Sequence, residues 1–178
     1  MKLSGSYQIN LEKQKVWEAL NDPEILQKTI PGCEEFIKKS ETEFTATATN
    51  KIGPFNASFT GDIELKDLNP PHSYKIAGSG NSPVGFANGE ATVSLEDEDN
   101  GTKLTYTVEA NVGGKIAQVG ARLIDMTAKK MADIFFGKFS ELVSKEQDNK
   151  KTINESIEKK EVSLEKKSQN KIINDAIS

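Results

Sequence analysis

The sequence predicts an α+β fold: a curved antiparallel sheet of about seven strands, two short helices, and one long C-terminal helix laid across the sheet. Three observations carry this expectation. Apolar and polar side chains alternate with a period of two in segment after segment between residues 2 and 110. Short turn-forming clusters separate those segments, so consecutive strands pair as an antiparallel meander. After the last of them, Asn111-Val112-Gly113-Gly114 turns the chain into the longest helical pattern of the protein.

Residues 2–9 place Leu3, Gly5, Tyr7 and Ile9 on one side and Lys2, Ser4, Ser6 and Gln8 on the other, the pattern of a half-buried strand. Asn10 is placed to cap a short helix over 11–20, whose apolar side is Leu11, Val16, Trp17 and Leu20. Asn21-Asp22-Pro23 opens a second short helix with proline in its first turn, and Pro31-Gly32 stops it. Strands are expected over 33–39 and 43–49, the latter threonine-rich. Another runs from Phe55 to Leu65, where Phe55, Ala57, Phe59, Gly61, Ile63 and Leu65 share a face. Asn69-Pro70-Pro71 breaks it, and Ser73–Ala77 is the next strand. Residues 78–85, Gly-Ser-Gly-Asn-Ser-Pro-Val-Gly, read as a flexible loop. Residues 86–96 alternate weakly, and Glu98-Asp99-Asn100-Gly101 is a hairpin turn. Leu104, Tyr106, Val108 and Ala110 mark the last strand. The long helix is expected from about 115 to 143, with Leu123, Met131, Ile134, Phe135 and Leu142 on its apolar face.

The start of that helix carries small residues, Ala117, Gly120 and Ala121, among Ile116, Val119 and Leu123. Small residues facing a curved sheet leave room, so a cavity for an apolar molecule is expected. Its candidate lining is Phe44, Phe55, Phe59, Tyr74, Phe86, Tyr106, Ile116, Val119, Gly120, Leu123 and Met131. Tyr74, Tyr106, Asn88 and Glu90 are the candidates for contact with a polar head group. Gly53, Pro54, Gly80, Pro83 and Gly85, at the turn 52–54 and in the loop 78–85, are candidate gate residues. The other reading of each aromatic is plain core, and Trp17 is read as core support.

Composition bounds the rest. The chain has 178 residues, 35% hydrophobic, with a net charge of −4. No basic run interleaved with aromatics is present, which argues against nucleic-acid binding. Residues 1–143 read as one globular domain. Residues 144–178, with eight Lys, seven acidic residues and no Gly, Pro or aromatic, read as a charged tail that is disordered or weakly helical. The N-terminus lacks an apolar signal core and no run approaches a membrane span, so a cytoplasmic location is expected, with any membrane contact peripheral. In the tail, Ile172, Ile173, Ala176 and Ile177 share a face that could make such contact.

Catalysis finds little support. His72 is the single histidine and Cys33 the single cysteine, which makes a metal site poor, and nothing in their spacing pairs them. Gly78-Ser79-Gly80-Asn81 lacks the lysine and following helix of a phosphate loop. No catalytic residue, metal or cofactor is assigned.

Four motifs carry a family resemblance: Asn21-Asp22-Pro23-Glu24-Ile25-Leu26 with Ile30-Pro31-Gly32-Cys33-Glu34; Ile52-Gly53-Pro54-Phe55; Gly85-Phe86-Ala87-Asn88-Gly89-Glu90-Ala91; and Gly113 through Asp125. In this order they resemble the carbon monoxide dehydrogenase CoxG family, within the helix-grip superfamily of START, Bet v 1 and polyketide-cyclase proteins. The resemblance covers nearly all of residues 1–143. It implies a helix-grip fold enclosing a cavity and a non-catalytic accessory role. The bound molecule implied is an isoprenoid quinone or other lipid, and the implied partner a molybdenum hydroxylase of the carbon monoxide dehydrogenase type. The protein would then be a quinone carrier or a factor recruiting that enzyme to the inner face of the cell membrane. The alternatives are an assembly factor acting by protein contact alone, and a cyclase-like enzyme using the same cavity.

Overall fold

A computed structural model describes residues 1–177. In it the chain divides into two compact units, Met1–Val143 and a second beginning at Ser144. The first unit is built on one antiparallel sheet. Its strands are β1 (Lys2–Ile9), β2 (Cys33–Lys38), β3 (Glu43–Ile52), β4 (Phe55–Asn69), β5 (Ser73–Ser82), β6 (Gly85–Glu98) and β7 (Gly101–Gly113). The order across the sheet is β1-β7-β6-β5-β4-β3-β2: a continuous meander from β2 to β7, with β1 returning to pair at the β7 edge. Short turns dictate this, because each hairpin places the next strand beside the last. Asp99 and Asn100, both at positive φ, form the β6–β7 turn that the Asp-Asn-Gly sequence demands.

Helices α1 (Lys13–Leu20) and α2 (Pro23–Thr29) cross between β1 and β2. The first starts later than the sequence suggests. Asn10 does not cap it; Glu12 stands at the cap with no side-chain bond. The second is capped as its sequence directs, Asp22 accepting from the Glu24 amide with Pro23 in the first turn.

The glycine-rich stretch 78–85 is not a loop. Gly78–Ser82 complete β5 and Gly85 opens β6, with Gly78 opposite Gly89 and Gly80 opposite Ala87. Glycine weakens strand propensity, but pairing on both sides supplies the backbone hydrogen bonds that decide the conformation. The long helix also differs from expectation. Lys115–Val119 is a 3-10 turn (α3 here), and Gly120 separates it from α4, which runs Ala121–Ile177. Residues 144–177, expected to be disordered or weakly helical, are helix, and from Gln147 onward every described residue is exposed.

The core of the first unit sits where α1 and the α4 residues Phe136, Phe139 and Val143 meet the sheet. Ile9, Val16, Leu104 and Phe139 are fully buried there. Each such side chain contributes about 1.5–3 kcal/mol. Trp17 stands edge-on to Tyr74, ring centroids 5.1 Å apart, and fills this core as expected.

Candidate ligand-binding site

Because side chains alternate along a strand, the fully buried residues fix which face of each strand points inward. Ile9, Phe44, Leu65, Tyr74, Val93, Leu95, Leu104 and Tyr106 mark the inner face. Beyond this packed end the sheet and α4 do not fill the space between them. A chamber of about 460 Å³ is lined from the sheet by Phe44, Ile63, Leu65, Tyr74, Ile76, Ala91, Val93, Tyr106 and Val108. Leu26, Ile30 and Pro31 close it from the α2 side, and Met131, Ala132, Phe135 and Phe136 from α4. A second chamber of about 250 Å³ is lined by Ile52, Phe59, Ala87, Val112, Ile116, Ile124, Thr127 and Ala128. Ala48, Asn50 and Met131 line both, so the chambers adjoin there. The larger one falls in the range of about 300–1,000 Å³ usual for small-molecule sites.

The walls are apolar, and no charged residue lines the larger chamber. Polar groups are few: the hydroxyls of Tyr74 and Tyr106, Thr127 and the amide of Asn50. Asn50 Nδ2 donates to the Pro31 carbonyl at 3.0 Å. A carbonyl only accepts, so this bond fixes the orientation of the amide. Tyr7 donates to the Asp133 carboxylate, and Tyr7, Tyr106 and Phe136 stack in a row beside the chamber. Burial pushes the Tyr74 phenol up from its ordinary value. It does the same for Tyr7, helped by the Asp133 bond, and for Tyr106, helped by the Asp133 charge.

The residues named from sequence separate cleanly. Phe44, Tyr74 and Tyr106 line the larger chamber, Phe59 and Ile116 the smaller, and Met131 both. Phe55 stands on the same inner face, half-buried, opposite Ile52 at the hairpin end and outside both linings. Val119 and Leu123 line neither chamber. Their methyl groups lie 3.0 and 3.2 Å from where a Gly53 Cβ would stand, so they pack against the tip of the β3–β4 hairpin. Gly120 is the break between α3 and α4.

Phe86, Asn88 and Glu90 are on the wrong face. β6 buries Val93 and Leu95 inward, and without a bulge the same parity carries Ala91, Gly89 and Ala87 inward and the even-numbered residues out. Phe86 is 43% exposed and lies over Gly113, where an added Cβ would come within 2.3 Å of its ring. Glu90 pairs with Lys75 at 3.8 Å on the outer surface, and Asn88 lines a polar saddle there with Glu64, Ser79 and Glu109. Of the gate candidates, Gly53 and Pro54 form a hairpin tip. Gly80 and Gly85 are strand residues, and only Pro83 and Val84 make the β5–β6 turn.

Sequence reasoning missed Asn50, Ala48, Ala87 and Ala91, although parity from Phe44 and from Val93 marks all four. It also missed Leu26, Ile30 and Pro31, whose proximity has no local signal. Ile124, Ala128, Met131 and Phe135 form the α4 stripe that faces the void. The sequence named Met131 and Phe135 on this face but put Val119 and Leu123 where Ile124 and Ala128 stand, because the 3-10 turn advances differently from an α-helix and Gly120 resets the register.

Among the described residues no group of three or more His, Cys, Asp or Glu could hold a metal ion. Cys33 Sγ donates to the Glu35 carbonyl, and burial holds its thiol protonated above the ordinary value, which makes a poor nucleophile. His72 is exposed beside the β4–β5 turn. No helix among the described residues is long and apolar enough to cross a membrane.

Residues 5–144 match the family of the CoxG subunit of carbon monoxide dehydrogenase. The chain belongs to the CoxG family. A conserved protein from Geobacillus kaustophilus is similar in structure, with 34% identity and a TM-score of 0.77 over 82% of this chain and 96% of that one. Protein Ms6760 from Mycobacterium smegmatis, 17% identical, superposes with a TM-score of 0.61 over 80% of this chain and 90% of its own. The Zhui aromatase/cyclase from Streptomyces sp. R1128, 11% identical, gives 0.58 over 81% and 93%; at this distance the likeness is one of fold. No curated protein matches the chain in sequence. This CoxG protein therefore has the helix-grip fold, as its motifs imply.

Proposed function

We propose that this CoxG protein binds a hydrophobic small molecule, an isoprenoid quinone or another lipid, between its sheet and α4. It would serve a molybdenum hydroxylase of the carbon monoxide dehydrogenase type as carrier or membrane-recruitment factor. The observation that supports this most is the pair of adjoining apolar chambers, about 460 and 250 Å³, with few polar groups in their walls. Family membership supports the partner class.

Energetics restrict how such a carrier works. An apolar tail gains about 0.8 kcal/mol per CH₂ on leaving water, and almost nothing on leaving a bilayer. Selection of cargo from a membrane therefore rests on cavity shape and the few polar contacts. The test is mass spectrometry of a solvent extract of the protein purified from cells that make its partner enzyme. The expected result is a neutral lipid near one molecule per chain, lost on delipidation and regained from vesicles that contain it. An extract without lipid, together with enzyme binding that persists unchanged after delipidation, sinks the carrier reading and leaves protein contact alone.

A further inference from the structure

One polar group in the larger chamber has nothing to bond to. Tyr74 is 3% exposed, and its hydroxyl makes no hydrogen bond to any described residue. Yet no fully enclosed side-chain nitrogen or oxygen among the described residues lacks a partner. These facts agree only if Tyr74 Oη touches open space, and the space its side chain lines is the chamber. The ring itself is held firmly, edge-on to Trp17. An unpaired hydroxyl in an apolar wall is costly to folding. Such a group persists where a ligand satisfies it.

We propose that the Tyr74 hydroxyl is the hydrogen-bond donor that reads the cargo, and that the cargo is a neutral lipophile bearing a carbonyl oxygen rather than a fatty acid or a phospholipid. This rests on the ligand-binding reading above. The surroundings choose the class. Leu65, Ile76, Val93 and Phe44 share the chamber with Tyr74, and no Lys or Arg lines it. A carboxylate or phosphate would enter without a cation to pair with, whereas a ketone or quinone oxygen needs one donor. Burial keeps the phenol protonated, so at neutral pH the donor is always present. Asn50 gives one of its two N–H groups to Pro31 and the Tyr106 hydroxyl is hydrogen-bonded to Tyr7, so Tyr74 is the chamber's polar side chain that has no hydrogen-bond partner at all among the described residues.

The test compares the full-length protein with Tyr74→Phe, which deletes one oxygen and keeps the ring. The probes are octanophenone and octylbenzene, which differ by one carbonyl oxygen, and decanoate. Trp17, the single tryptophan, reports binding from beside the ring. In Tyr74→Phe the dissociation constant for octanophenone should rise about tenfold while that for octylbenzene moves less than twofold, because one hydrogen bond in an apolar site is worth roughly that factor. The apo variant should melt no lower than wild type, since the lost hydroxyl had no partner. An unchanged octanophenone constant overturns the assignment of Tyr74 and leaves the cavity reading intact. So does a lowered melting temperature, which would mean that the hydroxyl has a structural bond. Decanoate binding as tightly as octanophenone overturns the neutral class. If neither octylbenzene nor octanophenone binds wild type, the ligand-binding reading falls and takes this inference with it.

Discussion

Ala48→Leu is the substitution that most directly asks whether the space between sheet and helix is empty. Ala48 lies on the inner face of β3, opposite Phe59, and lines both chambers where they adjoin at Asn50 and Met131. Leucine adds three carbons. If they enter a void they remove apolar surface from water without displacing protein, a gain of about 2.4 kcal/mol at ~0.8 kcal/mol per carbon. Fixing the new side chain costs about 0.5–1 kcal/mol, so the net gain is about 1.5 kcal/mol. At about 2–4 °C per kcal/mol for a chain of this size, the delipidated variant should melt roughly 3–6 °C above wild type. The added bulk also obstructs the junction, so uptake of a long apolar ligand should weaken at least tenfold. Differential scanning calorimetry of delipidated protein gives the first quantity, and titration with an apolar probe gives the second. In a filled core the same change would overpack and destabilise by about 1–3 kcal/mol. The sign of the melting shift therefore decides, and a lower melting temperature would refute the existence of the void.

Three further outcomes are expected. Tyr7, Tyr74 and Tyr106 all have folded-state pKa values raised by burial above their ordinary value of 10.0. Their contribution is fully present below about pH 10, where the unfolded phenol titrates, and is lost as pH rises through the folded values. Stability should thus fall steeply above pH 10, and Tyr74→Phe should lose less than wild type between pH 9 and 11.5; parallel melting curves for the two proteins would contradict this. Gly120, at φ 96° and ψ 150°, occupies a region other residues avoid, and no atom lies within 4 Å of where its Cβ would stand. Gly120→Ala should therefore cost about 1–3 kcal/mol through backbone strain alone, measured by urea denaturation, and a neutral variant would mean that the α3–α4 junction adopts another conformation. Glu90→Gln removes an exposed partner of Lys75 on the outer face. Stability should change by less than about 1 kcal/mol and probe affinity by less than twofold; a larger loss of affinity would return Glu90 to the binding site.

Much of the scaffold was legible in the chain. Alternation named the strands, Asp22-Pro23 started α2, Asp99-Asn100-Gly101 turned β6 into β7, and four motifs in order pointed to the family. These signals are local: a strand's period, a cap and a turn are each set by neighbouring residues and their own backbone. Parity carried inward from Val93 would also have placed Ala87 and Ala91 in the wall and sent Asn88 and Glu90 out. Weak alternation among glycine, alanine and asparagine hid that, because no large side chain marks the buried side.

Sequence alone thus determined the order of the strands and main helices, the inner face wherever large apolar side chains alternate, and the family. The tertiary structure decided that Pro31 comes against Asn50, that 78–82 is strand, that α4 takes a fresh register after Gly120, and that Tyr74 Oη meets no partner. The reason is physical. A cavity is the space left between two surfaces whose separation is set by the large residues that do touch, here Phe136 and Phe139 against the sheet. No local pattern along the chain encodes that distance.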